Sequence, residues 1–351
     1  MIFKRLLGAT VVTMAAAFLS ACGNPTPITS GTPSPSPTIT PFVSSEYTAA
    51  TAGAQPSGIT KGSDGGLWFT EPAVNKIGHV ATDGSVTDFA LPGANAAPLG
   101  ITLGPDGYEW FTESGDAKIG HVNIVGGIVS EFTLPDATAQ PTGITTGPDG
   151  ALWITDPALN RLWRITTSGA CSYYPLATAG AKPTTIAAGP DGQIWFVESG
   201  IDKLGALPAQ DAVTSVPPAC PQGPTPTEYG GFSAGAGLGV VASGPDNAMW
   251  VTETKLDKIA RVLTNGTVAE EVTLPGLTAP FGLALGADQN FYIGDGTTDA
   301  IAQFSPTTAK VLTLASPKTK PAGIYWLTLG PDNEIYFTEK TANQVGQYRY
   351  F

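Results

Sequence analysis

The sequence predicts an all-β protein, a seven-bladed β-propeller with four-stranded antiparallel blades. A ten-residue phrase, first seen as GSDGGLWFTE, occurs seven times, and its copies begin at Gly62, Gly104, Gly147, Gly189, Gly244, Gly286 and Gly330. These glycines are 42, 43, 42, 55, 42 and 44 residues apart. A β-type repeat of about 40 residues is typical of propeller blades. Turn residues separate four short apolar segments in each repeat, which we name strands a to d.

The repeated phrase reads as a turn followed by strand b. Gly-Pro-Asp-Gly combines residues that favour tight turns, since Pro fixes φ and Asp bonds its own backbone. The residues after it alternate in direction, as they do in a strand, with Leu67 and Phe69 on one face and Trp68 and Thr70 on the other. An aromatic position recurs in every copy, which favours packing of blade on blade over a ligand platform. It is filled by Trp68, Trp110, Trp153, Trp195, Trp250, Tyr292 and Tyr336.

Residues 1–22 have the pattern of an export signal. Lys4 and Arg5 precede an apolar run, and Leu19-Ser20-Ala21-Cys22 resembles the lipobox of bacterial lipoproteins. This resemblance implies a lipid on Cys22 and a location in the bacterial cell envelope, outside the cytoplasm, at the outer membrane, cell surface or periplasm. The alternatives are an ordinary secretory signal or a single membrane span, for which the apolar run is short.

Residues 23–43 are rich in Pro, Ser and Thr and predict a tether. Residues 44–351 then form the propeller. Ser44–Thr48 matches strand d but has no blade before it, and Asn343–Tyr348 matches strand c with no strand d after it. We therefore expect the N-terminal strand to complete the last blade, which removes both open sheet edges.

Two repeats are longer than the others. The fourth has extra residues within Pro208–Gly237, predicted to form a loop between strands c and d, and the seventh has three extra residues near Tyr325-Trp326, predicted as a bulge in or before its first strand. Cys171 falls in the c–d turn of the third blade and Cys220 in the long loop of the fourth. Because export places them in an oxidising compartment, a Cys171–Cys220 disulfide is expected.

The charge of the chain disfavours binding to nucleic acid or to anionic lipid, and no nucleic-acid partner is expected. The formal net charge is −12, and loss of Lys4 and Arg5 with the signal makes it −12 − 2 = −14, with no cluster of basic residues. Contact with the membrane is therefore expected through the lipid alone. The protein is expected to be a monomer.

An acidic residue ends every strand b: Glu71, Glu113, Asp156, Glu198, Glu253, Asp295 and Glu339. Five positions later the first five blades have a base, which predicts an ion pair across each b–c turn: Lys76, Lys118, Arg161, Lys203 and Lys258. Blades six and seven lack that base. There Asp295, Asp299 and Glu339 predict a site for a divalent cation, Mg²⁺ or Ca²⁺.

The only two histidines in the sequence, His79 and His121, occupy the same position of strand c in the first two blades. Side chains there face the blade flank or solvent, so both are interpreted as surface residues rather than ligands or bases.

Repeats of the form P-x-G-I-T-x-G-P-D-G-x-L-W-F-T-E-x-x-x-N-K-I-G-x-V, seen in Pro56–Val80, Pro98–Val122 and Pro141–Ile165, resemble those of the streptogramin B lyase (virginiamycin B lyase) family. The resemblance implies a magnesium-dependent elimination that opens the ester of a cyclic depsipeptide, with histidines directly after the proline of strand a in two late blades. That position holds Ser57, Leu99, Thr142, Thr184, Gly239, Phe281 and Ala322 here. One family glutamate precedes the proline, where this chain has Gln55, Ala97, Gln140, Lys182, Ala279 and Lys320, and another corresponds to Lys340. No catalytic position of the family is matched.

Two functions remain open from the sequence. The first is a non-catalytic, surface-tethered module that binds an unknown small-molecule or protein ligand on the face with the d–a and b–c loops. The second is a lyase, or a metal-dependent lactonase, with an altered active site.

Overall fold

A computed structural model describes residues 42–123, 127–209 and 219–350. Its 28 strands form seven separate four-stranded antiparallel sheets, which confirms the predicted propeller. The signal, the lipobox cysteine and the tether up to residue 41 lie outside the described residues. Within the described part of the chain, no helix is long and apolar enough to cross a membrane.

The strands follow one another in the order a, b, c, d within each blade. Blades one to three contain β2 (Ile59–Lys61), β3 (Leu67–Glu71), β4 (Lys76–Val80), β5 (Val86–Ala90), β6 (Pro98–Leu103), β7 (Glu109–Glu113), β8 (Lys118–Asn123), β9 (Gly127–Thr133), β10 (Ile144–Thr146), β11 (Leu152–Asp156), β12 (Arg161–Ile165) and β13 (Cys171–Pro175). Blades four to six contain β14 (Pro183–Ala188), β15 (Gln193–Glu198), β16 (Lys203–Pro208), β17 (Thr227–Tyr229), β18 (Leu238–Ser243), β19 (Ala248–Glu253), β20 (Lys258–Leu263), β21 (Val268–Thr273), β22 (Gly282–Leu285), β23 (Phe291–Asp295), β24 (Ala300–Ser305) and β25 (Lys310–Ala315). Blade seven contains β26 (Ile324–Leu329), β27 (Ile335–Glu339), β28 (Gln344–Arg349) and β1 (Phe42–Thr48).

The ring is closed by β1, as the sequence predicts. This strand pairs antiparallel with β28, Tyr47 opposite Val345 and Phe42 opposite Arg349. It begins at Phe42 rather than at Ser44. Because β1 supplies strand d of the last blade, β28 is paired on both sides. The last blade therefore has four strands like the others, and no strand c is left as an open edge.

Within each blade, strands b and c have side chains of complementary size. Phe69 of strand b lies opposite Gly78 of strand c, and Phe337 lies opposite Gly346. A Cβ atom on either glycine would overlap the phenylalanine ring. In blade six the same pair is Ile293 with Ala302. A smaller residue on strand b thus accompanies a larger one on strand c, which keeps the packing dense.

The recurring aromatic residue packs blade on blade, as predicted. Trp110 of blade two is fully buried in one apolar cluster with Ile144 and Ile154 of blade three. Its indole N–H donates to Asp106 of the turn (3.0 Å). Tyr336 in blade seven makes the same bond through its hydroxyl, to Asp332 (2.8 Å). The turn aspartate therefore satisfies the one polar group of an otherwise apolar side chain.

The two histidines stack on these aromatic residues. The ring of His79 lies 4.3 Å from that of Trp68, and the ring of His121 lies 4.5 Å from that of Trp110. Burial lowers the pKa of both imidazoles. The prediction of surface residues was wrong for His121, which is 5% exposed, because the outer strand and Tyr108 cover it.

The long loop of blade four runs between β16 and β17, as predicted, and residues 210–218 of it lie outside the described part. Its end adds to the outer edge of blade three. The N–H of Tyr173 donates to the carbonyl of Pro221 (3.0 Å), and the N–H of Gly223 donates to the carbonyl of Tyr173 (2.7 Å). A disulfide joins Cys171 to Cys220 beside these bonds. The loop therefore covers part of an exposed strand edge.

Candidate functional site

The first strand of every blade lines a pocket of ≈ 420 Å³ on the axis of the propeller. Each blade contributes the residue at or just before the start of strand a. These lining residues are Ser57, Leu99, Thr142, Thr184, Gly239, Phe281 and Tyr325. The pocket is thus built by the repeat itself, with a different side chain supplied by each blade.

In five of the seven blades a threonine of strand b holds the lining residues in place. The hydroxyl of Thr70 accepts the N–H of Gly58 (2.9 Å) and donates to the carbonyl of Leu99 in the next blade (2.8 Å). Thr338 of blade seven donates in the same way to the carbonyl of Ser57 (2.8 Å). Five blades therefore fix the pocket wall of their neighbour through this threonine, and the bond from Thr338 spans the junction between blades seven and one. Blades four and six have Val197 and Gly294 at this position instead.

The lining residue of blade seven is Tyr325 and not Ala322. The N–H of Trp326 donates to the hydroxyl of Thr338 (3.0 Å), which is the bond that Gly58 makes to Thr70 in blade one. Tyr325 therefore corresponds to Ser57, and the assignment of Ala322 was wrong. The three extra residues lie in the loop before β26, which moves Pro321 out of line with the other prolines. A bulge between Ile324 and Leu327 also occurs, at a place where several other blades have one.

One wall of the pocket is aromatic. The ring of Phe281 stacks on that of Tyr325 with centroids 4.7 Å apart and planes at 9°, and Trp326 meets Phe281 edge-on at 5.9 Å. Ser57 of the adjacent blade one and Thr142 of blade three add hydroxyl groups to the lining. Burial raises the pKa of Tyr325, so its hydroxyl stays protonated at neutral pH.

This donor set does not suit a metal ion. No histidine, aspartate or glutamate is among the described residues that line the pocket. Mg²⁺ prefers carboxylate oxygens and retains water, and isolated hydroxyl groups beside aromatic rings are poor substitutes. The magnesium implied by the family resemblance therefore does not fit the pocket, which is suited instead to an apolar body that accepts or donates a few hydrogen bonds.

The predicted ion pairs across the b–c turns were wrong. Each lysine binds an acid of strand d instead: Lys76 with Asp88 (3.6 Å), Lys118 with Glu131 (2.6 Å), Lys203 with Glu228 (2.8 Å) and Lys258 with Glu271 (3.0 Å). The guanidinium of Arg161 lies over the rings of Trp163 and Tyr173. The strand b acids are therefore buried inside the blade and are not paired with these bases.

Five of the strand b acids are buried glutamates with no hydrogen-bond partner among the described residues: Glu71, Glu113, Glu198, Glu253 and Glu339. Burial raises the pKa of Glu71 and Glu339 to about 8. It raises the pKa of Glu113, Glu198 and Glu253 to about 7. A carboxyl that is removed from water without a partner is more stable in its neutral form.

The two strand b aspartates have hydrogen-bond donors. Asp295 accepts the backbone N–H groups of Thr278, Ala279, Thr297 and Thr298 at 2.5–3.1 Å. Although burial opposes ionisation, these four donors hold the pKa of Asp295 below its usual value. Asp156 accepts the N–H of Gln140 and the indole N–H of Trp163.

Asp299 belongs to a different set of contacts, which join neighbouring blades. It accepts the N–H of Ala322 and of Gly323 (3.1 and 2.8 Å). Asn160 occupies the same position in blade three and accepts the N–H of Lys182 (3.1 Å). Asn343 occupies it in blade seven and accepts the N–H of Gln55 (3.2 Å). The role of Asp299 is thus one that asparagine also performs.

The predicted metal site is therefore not assembled by the structure. Asp295 and Asp299 are bound to backbone donors of different loops, and Glu339 is buried beneath the b–c turn. Among the residues that the structure describes, no group of three or more His, Cys, Asp or Glu side chains could hold a metal ion. Sequence analysis missed the aromatic wall, since Phe281 and Tyr325 lie 44 residues apart and become neighbours only when blades six and seven are aligned.

Comparison with known proteins gives one family. The model of the virginiamycin B lyase family matches residues 40–223 and 219–350. A streptogramin B lyase structure is 26% identical, covers 87% of this chain and 96% of its own, and has a TM-score of 0.78. No curated protein matches the chain.

Two structures of virginiamycin B lyase from Staphylococcus aureus are similarly close. Both are 27% identical, cover 88% of this chain and 99% of their own, and have a TM-score of 0.78. One is the selenomethionine-substituted protein. The other is a catalytically inactive variant, in which alanine replaces a histidine, with quinupristin.

Proposed function

This chain belongs to the virginiamycin B lyase family, and from that premise we propose that it is a non-catalytic member, a ligand-binding module held at the bacterial cell envelope by a lipid on Cys22. Its central pocket binds a small molecule and releases it unchanged. The observation that carries this proposal is the set of seven lining residues, none of which is histidine.

The comparison with the S. aureus enzyme supports a loss of catalysis. That enzyme is described as catalytically inactive once alanine replaces a single histidine, and it was solved in that form with quinupristin. In this chain the lining positions of the last two blades hold Phe281 and Tyr325, which pack against each other. A base that removes a proton has to be present within hydrogen-bond reach of it, and neither side chain supplies one at neutral pH.

The alternative, a lyase or lactonase with an altered site, would need a different base. Tyr325 and Lys340 are the nearest candidates, since the ammonium of Lys340 lies 5.0 Å from the centre of the Tyr325 ring. A tyrosine acts as a base only when ionised, and burial raises its pKa. The binding module is therefore the better interpretation of the pocket.

The catalytic part of the proposal is tested with quinupristin. The mature chain is incubated with quinupristin and Mg²⁺, and the S. aureus enzyme is assayed in parallel as the positive control. We expect mass spectrometry to recover intact quinupristin from the mature chain after complete conversion in the control. Conversion by this chain that stops when Mg²⁺ is chelated would contradict the proposal.

The anchoring part is tested in a bacterial host that processes lipoproteins. Replacement of Cys22 by serine should move the protein from the membrane fraction to the soluble extracytoplasmic fraction, because the sulfur that carries the lipid is gone. Mass spectrometry of the wild-type N-terminus should find the acylated cysteine. An unmodified Cys22 in membrane-bound protein would contradict the lipid anchor.

A further inference from the structure

Three lysines stand beside the central pocket, and their placement indicates the charge of the ligand. We propose that the pocket takes a small organic anion, with an apolar or aromatic body in the pocket and one carboxylate held at its mouth by Lys182, Lys255 and Lys340. This inference rests on the proposed binding function and adds the chemical class of the ligand.

Each of the three lysines adjoins a lining residue. Lys340 follows β27, and its ammonium lies over the ring of Tyr325. The carbonyl of Lys182 accepts the hydroxyl of Ser199 (3.0 Å), which also lines the pocket. Lys255 packs along Gly237, the residue before Leu238 of the pocket wall. The ammonium of Lys340, the backbone of Lys182 and the side-chain stem of Lys255 therefore lie beside the pocket wall in blades seven, four and five.

These three lysines are positively charged, whereas the chain as a whole has more acidic than basic residues. Three positions in every blade flank the mouth, namely the residue two before the lining residue and the first and second residues after the strand b acid. Across the seven blades, Lys182, Lys255 and Lys340 are the only charged residues at these positions. The whole chain has 29 acids and 17 Lys and Arg residues, so acids would be expected here by number alone.

Nearby acids do not neutralise these lysines. Glu253 and Glu339 precede Lys255 and Lys340 in strand b but are buried. Burial raises the pKa of Glu339 to about 8, so it is largely protonated at neutral pH, and raises that of Glu253 to about 7, so it is about half protonated. The carboxylate of Asp202 accepts the N–H of Gly237 (3.0 Å). Within the described part of the chain none of the three lysines forms an ion pair. The lysines of the b–c turns, by contrast, are each bound to an acid of strand d.

An unpaired ammonium group at the mouth of an apolar cavity attracts an anion more strongly than one on an open surface. The surrounding protein has a low dielectric constant, which focuses the field into the opening. The cavity of ≈ 420 Å³ has the volume of a small-molecule site, and the stacked rings of Phe281 and Tyr325 suit a flat body. The lysines would therefore bind the carboxylate of the ligand, and the aromatic wall would bind its apolar body.

A matched pair of probes tests the inference. Binding of 2-naphthaleneacetate and of 2-naphthaleneacetamide to the mature chain is measured by titration calorimetry, since the two probes differ only in charge. We expect the carboxylate to bind roughly tenfold more tightly, an advantage of about 1.4 kcal/mol, and that advantage should shrink as salt is added. The triple variant Lys182→Gln, Lys255→Gln, Lys340→Gln should lose the advantage and still bind the amide.

Lys310→Gln is the control, because Lys310 is exposed on the outer strand β25, away from the pocket. It should leave both affinities unchanged. Equal binding of both probes, unaltered in the triple variant, would overturn the anion preference and leave the binding function intact. Binding of neither probe would overturn both proposals.

Discussion

Blades six and seven are neighbours that use the same strand position in opposite ways. Asp295 of blade six is fully buried and accepts four backbone N–H groups. Glu339 of blade seven is equally buried and has no hydrogen-bond partner in the described structure. The two side chains differ by one methylene group, yet one is held as a charged group and the other is favoured as a neutral one.

The backbone conformation of the loop before strand a also differs between the blades with a glutamate and those with an aspartate at the end of strand b. In the five glutamate blades, the residue two before the lining residue has a positive φ: Gln55, Ala97, Lys182, Gly237 and Gly323. Its carbonyl faces the b–c turn and in four of these blades accepts a backbone N–H there, as Gly323 does from Lys340 (3.0 Å). In the aspartate blades, Gln140 and Ala279 lack the positive φ and donate their N–H to the carboxylate. The choice of acid and the loop conformation therefore belong together.

The largest difference in stability is expected when Asp295 and Glu339 are each replaced by the corresponding amide. Asp295→Asn should lower the free energy of unfolding by about 2–3 kcal/mol at pH 6, because the amide cannot accept the bonds of all four N–H groups. Glu339→Gln should change it by less than about 0.5 kcal/mol at that pH, since the native carboxyl is already neutral. Urea unfolding of both variants measures the difference. Equal losses would show that the two blades do not differ as described.

A second experiment converts the core of blade seven into that of blade six. Gly346→Ala should destabilise the fold by about 2 kcal/mol, because the new methyl group overlaps the ring of Phe337. Adding Phe337→Ile should recover most of this loss, since Ile293 and Ala302 already form that pair in blade six. The same urea titration applies. A double variant that is less stable than Gly346→Ala alone would contradict the size complementarity.

The third prediction is a dependence of stability on pH, to which the five buried glutamates all contribute. The pKa of each buried glutamate is about 7 or 8 in the folded state against 4.5 ordinarily, so the folded protein binds more protons than the unfolded chain between those values. Stability should consequently fall as pH rises from about 5 to 8. In the variant Glu71→Gln, Glu339→Gln the urea midpoint should depend less steeply on pH over this range. An identical slope in wild type and variant would refute the explanation.

Repetition made the fold predictable. Seven copies of one phrase determine strand count, blade order and ring closure, and the match of Ser44–Thr48 to strand d required no more than spacing. Positions within a copy were also predictable wherever the copies have equal length. Blade seven has three extra residues, so counting from Pro321 assigned Ala322 to the lining position, which Tyr325 occupies.

The partners of the b–c turn lysines could not be read from separation along the chain. Glu71 and Lys76 are opposite each other in the register of β3 and β4, and proximity suggested a pair. The glutamate side chain instead enters the blade, and Lys76 reaches the outer strand. The sequence nevertheless contained a signal. In each of the four blades that have a b–c turn lysine, an acid directly precedes the apolar or aromatic residue of strand d: Asp88, Glu131, Glu228 and Glu271.

Ring closure by β1 has a consequence for biogenesis. The first strand of the propeller pairs with the last, through residues about 300 positions apart in sequence. Under the proposed export and lipidation, β1 would have no partner until β28 had also crossed the membrane, and the lipid would already hold β1 near the bilayer. We expect late assembly of this contact, since distant pairings carry the greatest entropic cost. A chain that ends before Gln344 should therefore be sensitive to added protease, whereas the completed ring should resist it.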